Sequence, residues 1–536
     1  MDRSATDRHR VPALLALILV LALGLGVTPA AAQGHFQRPG AATPEVDERS
    51  AAVQPQAPVP APPRTADEVV VEVGQDVAAV FEAHPAGTRF RIASGVHRAQ
   101  VMPVETGDVV TGDDGAVLDG TVPLPASAFR RSGSTWVAGG RTEQVFTDTG
   151  RPDGLMHGEM VEGHARDAAN HDLWVDGVRA RHVATRAEVS GPGTWYFDYA
   201  ADEVITGADP ARHTLELATA WWAVRSEADD VVLQHLTVRR YASPAQHGAI
   251  HIDGEGWTVR HVTATENHGA GIKLGARTTL RDSRITANGQ IGVTAWGGAG
   301  IVVERNEIAH NRTLGYNWGW EGGATKLKGT VGAVFADNWV HDNDGPGIWF
   351  DIDNVDAEIT GNVVEGNLWL GILYEISYGA LIADNTVRDN GAAAYGDLGA
   401  GIWVSNSRDV EVRGNVLYGN RIEILASHAD RGAGAHGRYE TTGLKVHHNA
   451  VEIGHLPVGL RVHTAERELY TSRGNTFFAN RYHLVDGASE FWWDGERTAD
   501  GWRALGFDTD GTFTRGPADM GLHTSFQSGP YGHLTS

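Results

Sequence analysis

From residue 249 onward the chain alternates apolar and polar positions in short bursts, each opening on a small residue. The bursts are Ala249-Ile-His-Ile-Asp253, Gly271-Ile-Lys-Leu-Gly275, Gly292-Val-Thr-Ala-Trp296, Ala324-Thr-Lys-Leu-Lys328, Gly347-Ile-Trp-Phe-Asp351, Gly371-Ile-Leu-Tyr-Glu375 and Gly401-Ile-Trp-Val-Ser405. Their starts lie 22, 21, 32, 23, 24 and 30 residues apart, a base period near 22 with two longer gaps. From the Arg305 segment on, a second strand follows, flanked by asparagines at a five-residue offset, as in Asn306/Asn311, Asn338/Asn343, Asn362/Asn367, Asn385/Asn390 and Asn415/Asn420. Strands this short, without amphipathic helices between them, cannot build β-α-β units. A propeller blade needs about twice the period and four strands. Stacking the coils buries the Ile, Val, Leu and Phe positions in one continuous core. The predicted fold is therefore all-β, a right-handed parallel β-helix. Asparagine tolerates left-handed backbone and can bond its counterpart in the next coil, so a buried Asn ladder is expected at one corner.

The pattern changes elsewhere along the chain. Residues 66–120 read as a cap and first rungs: strand Val69–Val73, a short helix from Asp76 to His84, then strands at Thr88–Ile92 and Val117–Asp119. Residues 121–213 carry hairpin-like alternation such as Leu173-Trp-Val-Asp-Gly177 and predict a β-rich insertion, with the coils resuming at Thr214-Leu-Glu-Leu217 and running through 214–450. Residues 451–536 hold the last rungs, including Gly474-Asn475, and an aromatic cluster at Phe491-Trp492-Trp493 to close the open end.

At the start, Arg3, Arg8 and Arg10 precede an apolar run from Val11 to Val27, and Ala30-Ala31-Ala32 before Gln33 fits a cleavage site, so residues 1–32 are expected to be a signal peptide and the mature protein to be secreted. Residues 33–65, rich in Pro and Ala, read as a linker. The 67 acidic against 44 basic residues give a net charge of −23 over 536 residues, which excludes a broad grip on nucleic acid or, after signal cleavage, on a membrane. The absence of cysteine excludes disulfides, thiolate metal sites and cysteine nucleophiles. The histidines, His341 among them, show no ligand spacing, so no metal and no cofactor is expected.

Strand alternation turns the third and fifth residues of each burst outward. Stacked, the fifth positions form the column Asp253, Gly275, Trp296, Lys328, Asp351, Glu375, Ser405, and the third positions form His251, Lys273, Thr294, Lys326, Trp349, Leu373, Trp403. Rungs lie about 4.8 Å apart, so Asp351 and Glu375 should face outward within roughly 5 Å of each other, with Lys328 on the far side of Asp351. Retaining glycosidases hold two carboxyl groups at roughly 5–5.5 Å; a solvated charged stripe gives the same pattern. Two facts favour chemistry. The long gaps insert Arg312–Gly323 and Gly391–Ala400 at the same corner, bracketing the two acidic rungs as walls of a cleft. Trp349, Trp403 and Trp318 offer ring faces for sugar stacking.

The stretch Trp320-Glu-Gly-Gly-Ala-Thr-Lys-Leu-Lys328, with Gly347-Ile-Trp-Phe-Asp351 and Tyr374-Glu-Ile-Ser-Tyr-Gly-Ala380, resembles the catalytic region of glycoside hydrolase family 120, retaining β-xylosidases on a parallel β-helix interrupted by a β-sandwich. The resemblance implies Asp351 as nucleophile, Glu375 as acid/base, and sugar contacts from Glu321 and Lys326; Lys328, Asp353 and the tryptophans complete the set of candidate binding residues. The sequence departs from that pattern at Ile352-Asp353, where the family has Trp-Met, and at Tyr378-Gly-Ala, where it has His-Gly-Pro. The implied partner is an oligosaccharide or polysaccharide. Two other functions fit the fold: a polysaccharide lyase using Lys326 or Lys328 as base, disfavoured by an acidic column that repels uronates, and a non-catalytic carbohydrate-binding β-helix.

Overall fold

The computed structural model describes residues 59–147, 158–392 and 399–518. The proposed signal peptide, most of the linker, the centre of the Gly391–Ala400 insertion and the last 18 residues lie outside them. Three long sheets of 13, 12 and 13 strands wind about one axis, and apart from one terminal pair their strands run parallel, making a right-handed parallel β-helix. Register follows the sequence repeat: Ile348 stacks on Ile372 and Ile372 on Ile402, each fully buried. Their alternating partners Phe350 and Tyr374 join the same core, which runs without a break from Val71 near one end to Trp502 near the other.

The asparagines form two ladders, one at each end of the third sheet's strands, where the sequence pattern led us to expect one. Asn306, Asn338, Asn362, Asn385, Asn415, Asn449 and Asn480 make the first; Asn267, Asn288, Asn311, Asn343, Asn367, Asn390 and Asn420 make the second. Each amide also donates to a backbone carbonyl of the preceding coil, as Asn362 does to Phe335 O and Asn390 to Val364 O. The residue before each Asn of the first ladder is left-handed, with φ 55° at Asp337, 66° at Gly361 and 58° at Asp384, a conformation that Gly and Asp adopt most readily.

One end is covered by the helix Val77–Glu82, whose Phe81 stacks on Phe90 at 3.8 Å. At the other end Trp502, on the helix Ala499–Ala504, stacks on Phe491 at 4.6 Å. The β-rich insertion comprises a four-stranded and a five-stranded sheet that bury Leu173, Trp195, Phe197 and Leu217 between them. Leu215–Ala218 belongs to this insertion: it pairs antiparallel with Thr121–Pro123 and Leu173–Val175, and the coils resume only at Val224–Ser226. Apolar alternation is the same in both settings, so the sequence pattern alone placed this strand one element early.

The insertion buttresses the loop that follows Asn311. Asn317 N donates to Glu159 O at 2.8 Å, Gly315 N to Asp167 at 3.0 Å, and Arg179 to Thr313 Oγ1 at 2.7 Å. It thus fixes the short helix Trp318–Glu321 at the edge of the central sheet.

Candidate active site

The central 12-stranded sheet carries both outward columns in the expected register. Asp351 pairs with Glu375 and Glu375 with Ser405; Trp296 pairs with Lys328, and the Leu327–Phe350 pair sets Lys328 beside Asp351. Each carboxylate ends its strand because the next residue turns left-handed, with φ 59° at Ile352 and 39° at Ile376. A β-branched residue there costs on the order of 1–3 kcal/mol. The two isoleucines offset that cost by packing with Tyr378 and Tyr439.

Asp351 is only 4% exposed. Lys326 Nζ lies 2.9 Å from its Oδ2, while Oδ1 is buried with no hydrogen-bond partner among the described residues. Burial disfavours the Lys326 ammonium, yet the charges of Asp351 and Glu321 outweigh it and lift its pKa above the ordinary lysine value. Lys328, which the register sets beside Asp351, places its Nζ 4.3 Å from the ring centre of Trp296. It belongs to the fifth-position column and reaches along the sheet, whereas Lys326, two residues earlier on the same strand and on the same outward face, reaches the acid.

Glu375 accepts a 2.6 Å hydrogen bond from Arg431 Nη1. Burial first and the neighbouring Asp351 second push its carboxyl above the ordinary glutamate value, against the opposing pull of Arg431. The pair is thus electrostatically asymmetric: a lysine-paired aspartate with one vacant oxygen beside a glutamate that holds its proton more firmly.

Glu321 is buried and held by Gln246 Nε2 and, at 3.1 Å, by Thr294 Oγ1, on the far side of Lys326 from Asp351. Trp349 is not a stacking platform. It is 1% exposed, lies under Lys326 Nζ at 3.8 Å and packs edge-on against Trp369. The outward face at this point is roofed, so an outward side chain becomes the floor of a second cluster, with Trp318 and Trp403 half-buried at its edge. Trp369 was not foreseen, since its position between strands gives no periodic signal.

Arg431 was also missed. It sits in an excursion whose hairpin, Ala433–Gly434 with Gly437–Arg438, interrupts the coil after His428. The signal was present: Asn415 and Asn449 are 34 residues apart, against 23 between Asn362 and Asn385. Asp353, a candidate sugar contact, serves this hairpin instead. Its Oδ1 accepts from Tyr439 Oη at 2.7 Å and from Ala435 N at 3.2 Å, and Tyr378 Oη donates to Gly437 O at 2.7 Å. The two departures from the family-120 pattern, Ile352-Asp353 and Tyr378, are therefore the residues that seat the arm bringing Arg431 to Glu375.

Away from this face, the fold gathers His310, His341 and Asp342 with donor atoms within 4.8 Å of one another, a grouping invisible in the residue spacing. It lies on the third sheet, and no described residue of it touches the carboxylate pair.

Among protein families, residues 248–417 match the right handed beta helix region. No curated protein matches the sequence. Similar solved structures include XylC in complex with xylose, at 12% identity and TM-score 0.48 over 80% of this chain and 78% of that one. Others are the A-module of the Azotobacter vinelandii mannuronan C-5 epimerase AlgE6, at 13% identity and TM-score 0.40 over 83% and 95%, and the catalytic domain of a GH87 alpha-1,3-glucanase in complex with nigerose, at 11% identity and TM-score 0.40 over 86% and 70%. At these identities and TM-scores the chemistry is left to the residues of this chain.

Proposed function

We propose that this protein is a secreted retaining glycoside hydrolase acting on oligosaccharides, with a β-xylosidase-like site. The observation that carries the reading is the asymmetry of the adjacent pair Asp351 and Glu375: one carboxylate ion-paired to Lys326 with an unpartnered oxygen, the other with its pKa raised.

In the first step Asp351 Oδ1 attacks the anomeric carbon as the bond to the leaving oxygen breaks, and Glu375 transfers its proton to that oxygen. In the second, Glu375 takes a proton from water, which attacks the same carbon and releases Asp351. Lys326 keeps Oδ2 engaged, which leaves Oδ1 as the oxygen without a partner among the described residues. Adjacent rungs about 4.8 Å apart leave no room for an in-line water between carboxylate and sugar, so the anomeric configuration is retained.

A panel of chromogenic glycosides and uronate polymers tests this reading, with proton NMR of the first-formed anomer. Release of aglycone with retained configuration is expected. Glu375→Ala should slow poor leaving groups far more than activated aryl glycosides, with partial rescue by azide. Inversion overturns the mechanism, and ultraviolet absorbance from unsaturated products would instead support a lyase. Export is tested by N-terminal sequencing of secreted material, expected to begin near Gln33.

A further inference from the structure

Around the carboxylate pair, four cations of the outward face are matched with acids. Arg225 and Lys273 share Asp253, at 3.2 and 2.7 Å; Lys326 takes Asp351; Arg431 takes Glu375. Lys328 takes none. Among the described residues it has no ion pair and no side-chain hydrogen bond, and the nearby Glu321 spends its oxygens on Gln246 and Thr294. Its neighbour Trp296 is 39% exposed, one of six large apolar side chains open to solvent among the described residues. The pair stands on adjacent strands, with Lys328 one strand from Asp351.

A half-buried ammonium that has lost water without gaining a counter-ion is a standing cost, and burial lowers the Lys328 pKa accordingly. An anion placed there restores what burial removed. An indole face not covered by Lys328 can accept the C–H face of a pyranose ring. A ring on Trp296 that bears a carboxylate can set that group over the next strand, about 4.8 Å away, where Lys328 stands.

We infer that Trp296 and Lys328 form a subsite for a uronic acid residue of the glycan, next to the Asp351–Glu375 pair. The assignment of what happens at that pair rests on the glycosidase reading; the binding of the acidic sugar does not. The acidic column that argued against uronates in the sequence is compensated in the fold, because Lys326, Arg431 and Lys328 stand against Asp351, Glu375 and Glu321, and Lys328 alone of the three cations is held in no ion pair among the described residues.

The test is calorimetric binding to the full chain carrying Glu375→Gln, which keeps the Asp351–Lys326 pair and prevents turnover. The probes are a neutral xylo-oligosaccharide, the same oligosaccharide bearing one glucuronate, and an oligogalacturonate. We expect the acidic ligands to bind about tenfold or more tightly than the neutral one, with the preference falling as salt rises. Adding Lys328→Gln should erase the preference, Lys328→Arg should keep it, and Trp296→Ala should weaken all ligands. Equal affinities in the parent, or a preference that survives Lys328→Gln, overturns the inference. Neither outcome depends on catalysis: a wild-type protein inert toward every glycoside yet selective for uronates removes the hydrolase reading alone, and an active hydrolase without the preference removes the subsite alone.

Discussion

Asp351 is ion-paired to Lys326, which lies one coil back and two positions nearer the start of its strand than the residue directly beside the acid would be. The pair is buried on both sides, so each charge depends on the other. Asp351→Asn should lower kcat on the order of 10³-fold or more, since no other carboxylate stands where the nucleophile does. Lys326→Gln strands a buried carboxylate, and equilibrium unfolding should show a loss of about 3–5 kcal/mol.

Glu375 must carry a proton for the first step, so its raised pKa sets the alkaline limb of kcat/KM above the ordinary glutamate range. Arg431 favours the ionised form. Replacing it by Met removes that pull, raises the Glu375 pKa further and should move the alkaline limb to higher pH. A limb that moves down, or stays, counts against Glu375 as the acid.

Tyr439→Phe removes the 2.7 Å bond to Asp353 that seats the hairpin. The arm carrying Arg431 loses one of its anchors, so the same upward shift of the alkaline limb should appear in weaker form, with the unfolding midpoint little changed. A normal pH profile would show that the hairpin holds Arg431 without this bond.

In the first ladder, Asn362 Nδ2 faces three acceptors, the carbonyls of Phe335 and Thr360 and Oδ1 of Asn385. Asn362→Asp turns that donor into a fourth acceptor with no change of shape. The expected loss is about 3 kcal/mol or more, read from denaturant unfolding.

The His310, His341 and Asp342 group lies on a different sheet from the carboxylates. Exhaustive chelation should therefore leave glycoside turnover unchanged, whether or not that group holds an ion. Activity lost to EDTA and restored by a divalent metal would contradict the two-carboxylate mechanism.

The coil period, the inward positions, the Asn corner and the adjacency of Asp351 and Glu375 were legible in the sequence, because a parallel solenoid makes register a local property: residues one period apart become neighbours. What covers the outward face is not local. Whether Trp349 meets solvent or Trp369, and whether Lys326 or Lys328 reaches Asp351, depends on loops and side-chain reach that no period encodes. Arg431 lies 56 residues beyond its partner Glu375, on a hairpin seated by Asp353, Tyr378 and Tyr439, and only the folded excursion brings it there. The sequence by itself determined the scaffold and the acidic pair, since stacking repeats translate spacing directly into distance. Tertiary structure decided which cation each acid meets, because side chains and excursions close distances that strand spacing leaves open.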